Sequence, residues 1–220
     1  MTRPRSSSTV TRTRRERSGA DNPRTSEAAD LGRPAALYHA VRFYEDDDSL
    51  ARIVAQFLID GFAAGSPSIV IATAAQRAAL ARELERKSVD MDALQRVHDL
   101  LVLDAEATLS TFMVDGYPDP RQFREQMSQA IATVGRERTE CPVRLFGQMV
   151  DVLWQRGLRE AAIRLEVLWN QLAYTETFSL LCGYAFGHFY KEASTDDVCS
   201  QHSHVIDADG RAAVTPKRES

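Results

Sequence analysis

The hydrophobic positions fall into short continuous runs separated by longer stretches of helical period. Ala40-Val41-Arg42-Phe43-Tyr44 is a strand signal, and the acids Glu45 to Asp48 after it suit a helix N-terminus. Leu50, Ile53, Val54, Phe57 and Leu58 then recur at the spacing of one helical face, with Gly61 or Gly65 as stops. Ser68-Ile69-Val70-Ile71-Ala72 reads as a strand covered on both faces, and Thr73 to Gln76 as a capping box opening a helix to about Lys87. Leu100 to Leu103 is a third strand, ending in Asp104 as a helix cap. Asp115 to Pro118 turns the chain, and Asp119-Pro120 opens a helix with its face at Phe123, Met127, Ala130, Ile131 and Val134. Val143 to Gly147 and Phe178 to Tyr184 are strands four and five. Between them lie helices at about 148–156 and 159–175, and a short helix is expected near 186–192. Apolar strands alternating with helices predict a three-layer α/β fold, a mostly parallel sheet of about five or more strands flanked by helices.

Residues 1–36 lack this period. They are rich in Ser, Thr, Arg and Pro, so a disordered Arg/Ser-rich tail is expected there, a folded unit over 37–206, and a second disordered tail over 207–220. Charge follows the same division. The first 36 residues hold eight arginines against four acids, leaving 19 basic and 27 acidic residues in the remainder. A body with that excess of acid repels phosphate backbones, which argues against nucleic acid as a partner. No apolar run approaches the roughly 18 residues of a membrane-spanning helix, so no membrane role is expected. The three cysteines, Cys141, Cys182 and Cys199, do not suggest a disulfide framework, and a cytoplasmic location is expected.

Candidate chemistry is sparse. The loop after the first strand, Tyr44 to Ser49, has four consecutive acids and neither glycine nor lysine. No GxxxxGK[ST] and no strand-linked GxGxxG occurs in the chain. Asp104, after an apolar strand, is placed like the acid that holds magnesium in nucleotide hydrolases, but it is equally a helix cap. There is no GxSxG elbow, and Cys182, mid-strand, reads as a buried thiol. Cys199-x-x-His202 has the spacing of half a zinc site, with Cys182, His188 or His39 as sources of the other half. The most informative stretch is Ala161 to Asn170. Its apolar side chains nearly encircle the helix, yet Glu166 lies among them. That carboxylate is either a structural partner of a backbone amide or an arginine such as Arg144, or a polar anchor in an apolar pocket. Aromatic and Met side chains gather at the strand ends, where open α/β sheets bind ligands.

Several of these residues together resemble the MEDS domain, the sensory domain named from methanogens, methylotrophs and a dichloromethane-responsive regulator. They are His39 with Phe43-Tyr44; Phe57-Leu58-x-x-Gly61; Asp115-Gly116-x-Pro118-Asp119; and Arg144-x-Phe146-Gly147-x-Met149-Val150-Asp151-x-Leu153-Trp154. Leu165-Glu166-x-Leu168-Trp169-Asn170, Phe178 to Cys182 with Tyr184, and Cys199-x-x-His202-Ser203 complete the set. The resemblance implies a RecA/KaiC-like fold without a phosphate-binding loop, sensing small hydrocarbon-derived ligands beside histidine kinases, anti-sigma factors or transcription regulators. Gln148 departs from it, standing where Glu is expected.

The resulting expectation is a non-enzymatic, ligand-sensing protein that needs no cofactor, acts through a partner protein and is compatible with a homodimer. Tyr44, Asp104, Gln148, Glu166 and Tyr184 are expected to line the ligand site, with Phe146 and Trp169 as apolar walls. The alternatives are residual nucleotide chemistry at Asp104, or a metal or redox sensor at Cys199 and His202.

Overall fold

A computed structural model describes residues 38–134, 141–188 and 195–215. The expected N-terminal tail, residues 1–36, lies outside them, as does the end of the helix expected near 186–192. Of that helix the single 3-10 turn Phe186–His188 is described.

Seven strands form one sheet. They are β1 (His39–Tyr44), β2 (Ser68–Ala72), β3 (Leu100–Asp104), β6 (Val143–Gly147), β7 (Phe178–Ala185), β8 (His204–Ile206) and β9 (Ala212–Val214). A separate two-stranded ribbon, β4 (Met113–Val114) with β5 (Tyr117–Pro118), holds the Asp115–Gly116 turn, both residues at positive φ. The sheet order is β3-β2-β6-β7-β1-β8-β9, and every pairing is parallel except β8 with β9. The three-layer α/β expectation is met, with β1 inside the sheet between β7 and β8.

Strands β1, β2, β3, β6 and β7 each alternate between two apolar layers, which is why their sequences read as continuous runs. Ile69, Ile71, Leu145, Leu180 and Cys182 face one core cluster. It is covered by α4 (Ala105–Ser110), α5 (Pro120–Val134), α6 (Met149–Gln155) and α7 (Arg159–Leu172). Ala40, Val70, Phe146 and Leu181 face the other, under α1 (Asp47–Ala63) and α2 (Ala74–Arg86). Caps expected from the sequence are in place: Asp46, Thr73, Asp104 and Asp119 accept from the backbone N–H three residues on.

Two short helices lack a sequence forecast, α3 (Met91–Arg96) and α8 (Thr195–Ser200). The stretch after 206, expected to be structureless, is corrected over Asp207–Thr215. Asp207 Oδ1 accepts from the Asp209 and Arg211 amides, Gly210 takes φ +81°, and the resulting turn returns β9 along β8. No helix among the described residues is long and apolar enough to cross a membrane.

Candidate functional site

The expected site residues fall in three places. Tyr44 and Gln148 meet at the carboxyl ends of β1 and β6. Gln148 Nε2 donates to the Tyr44 hydroxyl at 2.8 Å, and that hydroxyl donates to Asp151 Oδ2 at 2.8 Å. Gln148 Oε1 accepts from the Thr73 amide and hydroxyl, and Asp151 Oδ1 accepts from the Ala185 amide. Burial, then the Asp151 charge, pushes the Tyr44 phenol well above its ordinary range, so it stays a donor.

Asp104 lies at the sheet's far edge. It caps α4 and pairs with Arg77 at 2.6 Å, and these contacts hold its carboxyl below the usual range. A groove of about 390 Å3 opens beside it, walled by Leu101, Leu103, Met127 and Ala130. Phe146 and Trp169 do not form two walls of one pocket. Phe146 faces the α1–α2 layer, whereas Trp169 is in the opposite layer, edge-on to Phe123 and Phe178.

Glu166 and Tyr184 form the third place, and residues from distant parts of the chain join them. Glu166, on α7, is fully buried. Its Oε1 accepts from the Tyr184 hydroxyl at 2.8 Å, and its Oε2 lies 3.5 Å from Cys182 Sγ and 3.2 Å from His39 Nε2. His202 Nε2 lies 3.4 Å from Oε1. Arg144, one of the partners considered for Glu166, does not pair with it. Arg144 points into the other layer, where it donates to the Phe57 carbonyl at 3.0 Å and lies over the Phe57 ring.

Two imidazoles, a thiol and a phenol therefore ring one carboxylate. Burial works to protonate Glu166, but His202 and then His39 outweigh it, and the carboxyl lies well below its ordinary range. Burial, followed by the His202 charge, lowers His39. The Cys182 thiol and Tyr184 phenol are pushed up by burial first and by Glu166 second. A buried anion is costly unless its neighbours compensate it, and here histidines rather than arginine or lysine do so.

His202 and Cys182, both considered for a metal-binding set, are in this cluster with His39. Cys199 is outside it, because α8 ends at Ser200 and His202 follows in the turn beyond. Asn170 completes the surround. Its Nδ2 donates to the Gln201 carbonyl at 2.9 Å, which fixes its Oδ1 as the acceptor facing His39 Nδ1 at 2.9 Å. Thr73 went unforeseen because a short polar residue after a strand reads as a cap, and Asp151, inside α6, was named only within the family resemblance.

The turn between β1 and α1 has its own chemistry. In phosphate-binding α/β domains the anion sits on the first helix's N-terminus. Here the Asp46 carboxylate occupies that position, 2.7 Å from the Ser49 amide, with Asp47 and Asp48 behind it.

No curated protein sequence matches the chain significantly. In fold it is similar to the crystal structure of a KaiC-like protein from the hyperthermophilic archaeon Pyrococcus horikoshii OT3. The two share 15% identity and a TM-score of 0.54, over 83% of this chain and 81% of that one. This supports a RecA/KaiC-like architecture, in agreement with the strand order and the two helical layers. Residues 38–203 match the family described as the methanogen/methylotroph, DcmR sensory domain, and the chain belongs to that family, MEDS.

Proposed function

We propose that this protein is a non-enzymatic sensor that binds a small, hydrocarbon-derived or otherwise largely apolar molecule in the cytoplasm. It passes its bound state to a separate signalling protein: a histidine kinase, an anti-sigma factor or a transcription regulator. Membership of a sensory family supports the role. The observation that carries it is the Glu166 centre. Sites for small apolar molecules combine apolar walls with a few convergent polar groups. Glu166, His39, Cys182, Tyr184 and His202 are such a group, enclosed by the core that contains Trp154, Leu165 and Trp169.

The centre also suits a transmitter. Its residues come from β1, α7, β7 and the turn before β8, so a molecule that displaces Glu166 bears on four elements at once. A ligand shifts a conformational equilibrium only through such differential contacts. Nucleotide chemistry is disfavoured, because the acids at the start of α1 stand where a phosphate would need positive charge.

Native mass spectrometry of gently purified protein, with the denatured mass as reference, tests the reading. A stoichiometric organic adduct, lost from Glu166→Gln protein, is the expected result. A bare mass, with no thermal shift from short-chain alcohols, aldehydes or organic halides, overturns it. So does ATP or GTP turnover that Asp104→Ala abolishes.

A further inference from the structure

With neutral histidines, the lone pairs at the Glu166 centre outnumber the protons available to them. The Val198 carbonyl, which can only accept, lies 2.7 Å from His202 Nδ1, so Nδ1 carries a proton, and Nε2 is a lone pair whenever the ring holds one proton only. Asn170 Oδ1 imposes the same tautomer on His39. With both rings neutral, both Nε2 atoms and both Glu166 oxygens converge as acceptors, an excess that a proton on an imidazole or a bound cation relieves. The donors among them are the Cys182 thiol and the Tyr184 hydroxyl, which supply one proton each. His202 Nε2 is fully buried and has no hydrogen-bond partner. Leaving such an atom unmatched is costly.

We propose that His39 Nε2, His202 Nε2, Cys182 Sγ and Glu166 Oε2 bind one divalent transition-metal ion of the zinc type. Bonds of about 2.0–2.3 Å place neighbouring ligand atoms of a tetrahedral zinc site roughly 3.3–3.7 Å apart. Here His39 Nε2 lies 3.2 Å from Glu166 Oε2 and 3.4 Å from Cys182 Sγ, and Sγ lies 3.5 Å from Oε2. His202 completes the set, with all four ligand atoms within 4.8 Å of one another.

The outer contacts are those a metal site requires. Each histidine gives its Nδ1 proton to a fixed oxygen, Asn170 Oδ1 or the Val198 carbonyl, and Tyr184 holds the second carboxylate oxygen. A thiolate, two imidazoles and a carboxylate favour a borderline-soft ion over magnesium or calcium. On binding, the Cys182 S–H bond breaks, its electron pair forms the sulfur–metal bond, and its proton leaves to solvent. The two negative ligands then balance the ion's charge, with no oxidant or reductant involved. The inference stands apart from the organic ligand, since the ion would occupy the same centre whether it anchors that ligand or only braces the fold.

Cobalt(II) titration of the full chain, prepared with chelator and reductant, tests it. One equivalent should bind, giving the intense visible bands of four-coordinate cobalt and a thiolate-to-cobalt charge-transfer band, and zinc should displace it. Cys182→Ser should remove the charge-transfer band, Cys199→Ser should retain it, and Tyr184→Phe should weaken binding roughly tenfold. Wild-type protein that takes up no stoichiometric cobalt or zinc overturns the proposal without reference to any variant. A charge-transfer band that survives Cys182→Ser and disappears in Cys199→Ser overturns the ligand set. Metal uptake without an organic adduct, or the reverse, separates this proposal from the sensory reading.

Discussion

Gln148 and Tyr44, 104 positions apart, share a hydrogen bond whose direction the surroundings fix. Asp151 accepts the hydrogen bond of the Tyr44 hydroxyl, so the Tyr44 oxygen is open to a donor, and Gln148 Nε2 supplies it. This accounts for glutamine where the family resemblance implies glutamate. A carboxylate here would face the Tyr44 oxygen with no proton to share and would stand near a second anion, Asp151.

Gln148→Glu should therefore destabilise the fold by about 1–3 kcal/mol at neutral pH, the cost of an unmatched buried polar contact. Protonating the new carboxyl restores a donor, so the deficit should shrink on acidification. Urea midpoints of both proteins across the acid range check this, and an equal deficit at every pH would contradict it.

Gly61 is required by packing rather than by its backbone angles. A Cβ there would come within 2.6 Å of Arg144 Cδ, in mid side chain, where the guanidinium is already committed to the Phe57 carbonyl and ring. Gly61→Ala should cost about 1–3 kcal/mol, as overpacking does. Arg144→Ala in the same background should recover part of the loss, since the clash goes with the side chain. A double-mutant cycle from denaturant melts measures that coupling.

The layers of the fold were legible because the sheet is apolar on both faces, and the starts of α1, α2, α4 and α5 because a short polar residue caps each. What escaped notice was small or distant. Strands β8 and β9 have three residues each, and α3 buries none of its six. Glu166 declared itself as an acid on an apolar helix, but His39 lies 143 positions from Cys182 and no local spacing links them. Of the Cys199-x-x-His202 pair, His202 lies at the Glu166 centre and Cys199 lies outside it. Helical i, i+3 geometry would have put both on one face, and the helix ends before His202.

Ser203, in the turn just before β8, fixes His39 on β1. Its hydroxyl donates to the His39 carbonyl at 2.9 Å and accepts the His39 amide at 3.0 Å, while its own amide reaches the same carbonyl at 2.7 Å. Ser203→Ala leaves the His39 amide without that acceptor, and a loss of about 1–2 kcal/mol is expected. Amide hydrogen exchange should show it locally, with His39 exchanging faster while the β2 amides keep their protection. Uniform acceleration would mean that Ser203 acts on the whole fold.

Asp104 sets an acid limit on stability. The Ala107 amide and Arg77 favour its ionised form, so its folded pKa lies below the unfolded value of about 3.9. Between those values the unfolded chain binds more protons, so stability rises with pH. The contribution is complete above roughly pH 5 and disappears as pH falls through the folded value. Asp104→Asn keeps a capping oxygen but discards the charge. Its stability deficit should be largest at neutral pH and close towards pH 2–3, and it should stay under about 1 kcal/mol because solvent screens this half-exposed pair. Parallel wild-type and variant curves of urea midpoint against pH would show that Asp104 acts as a cap alone.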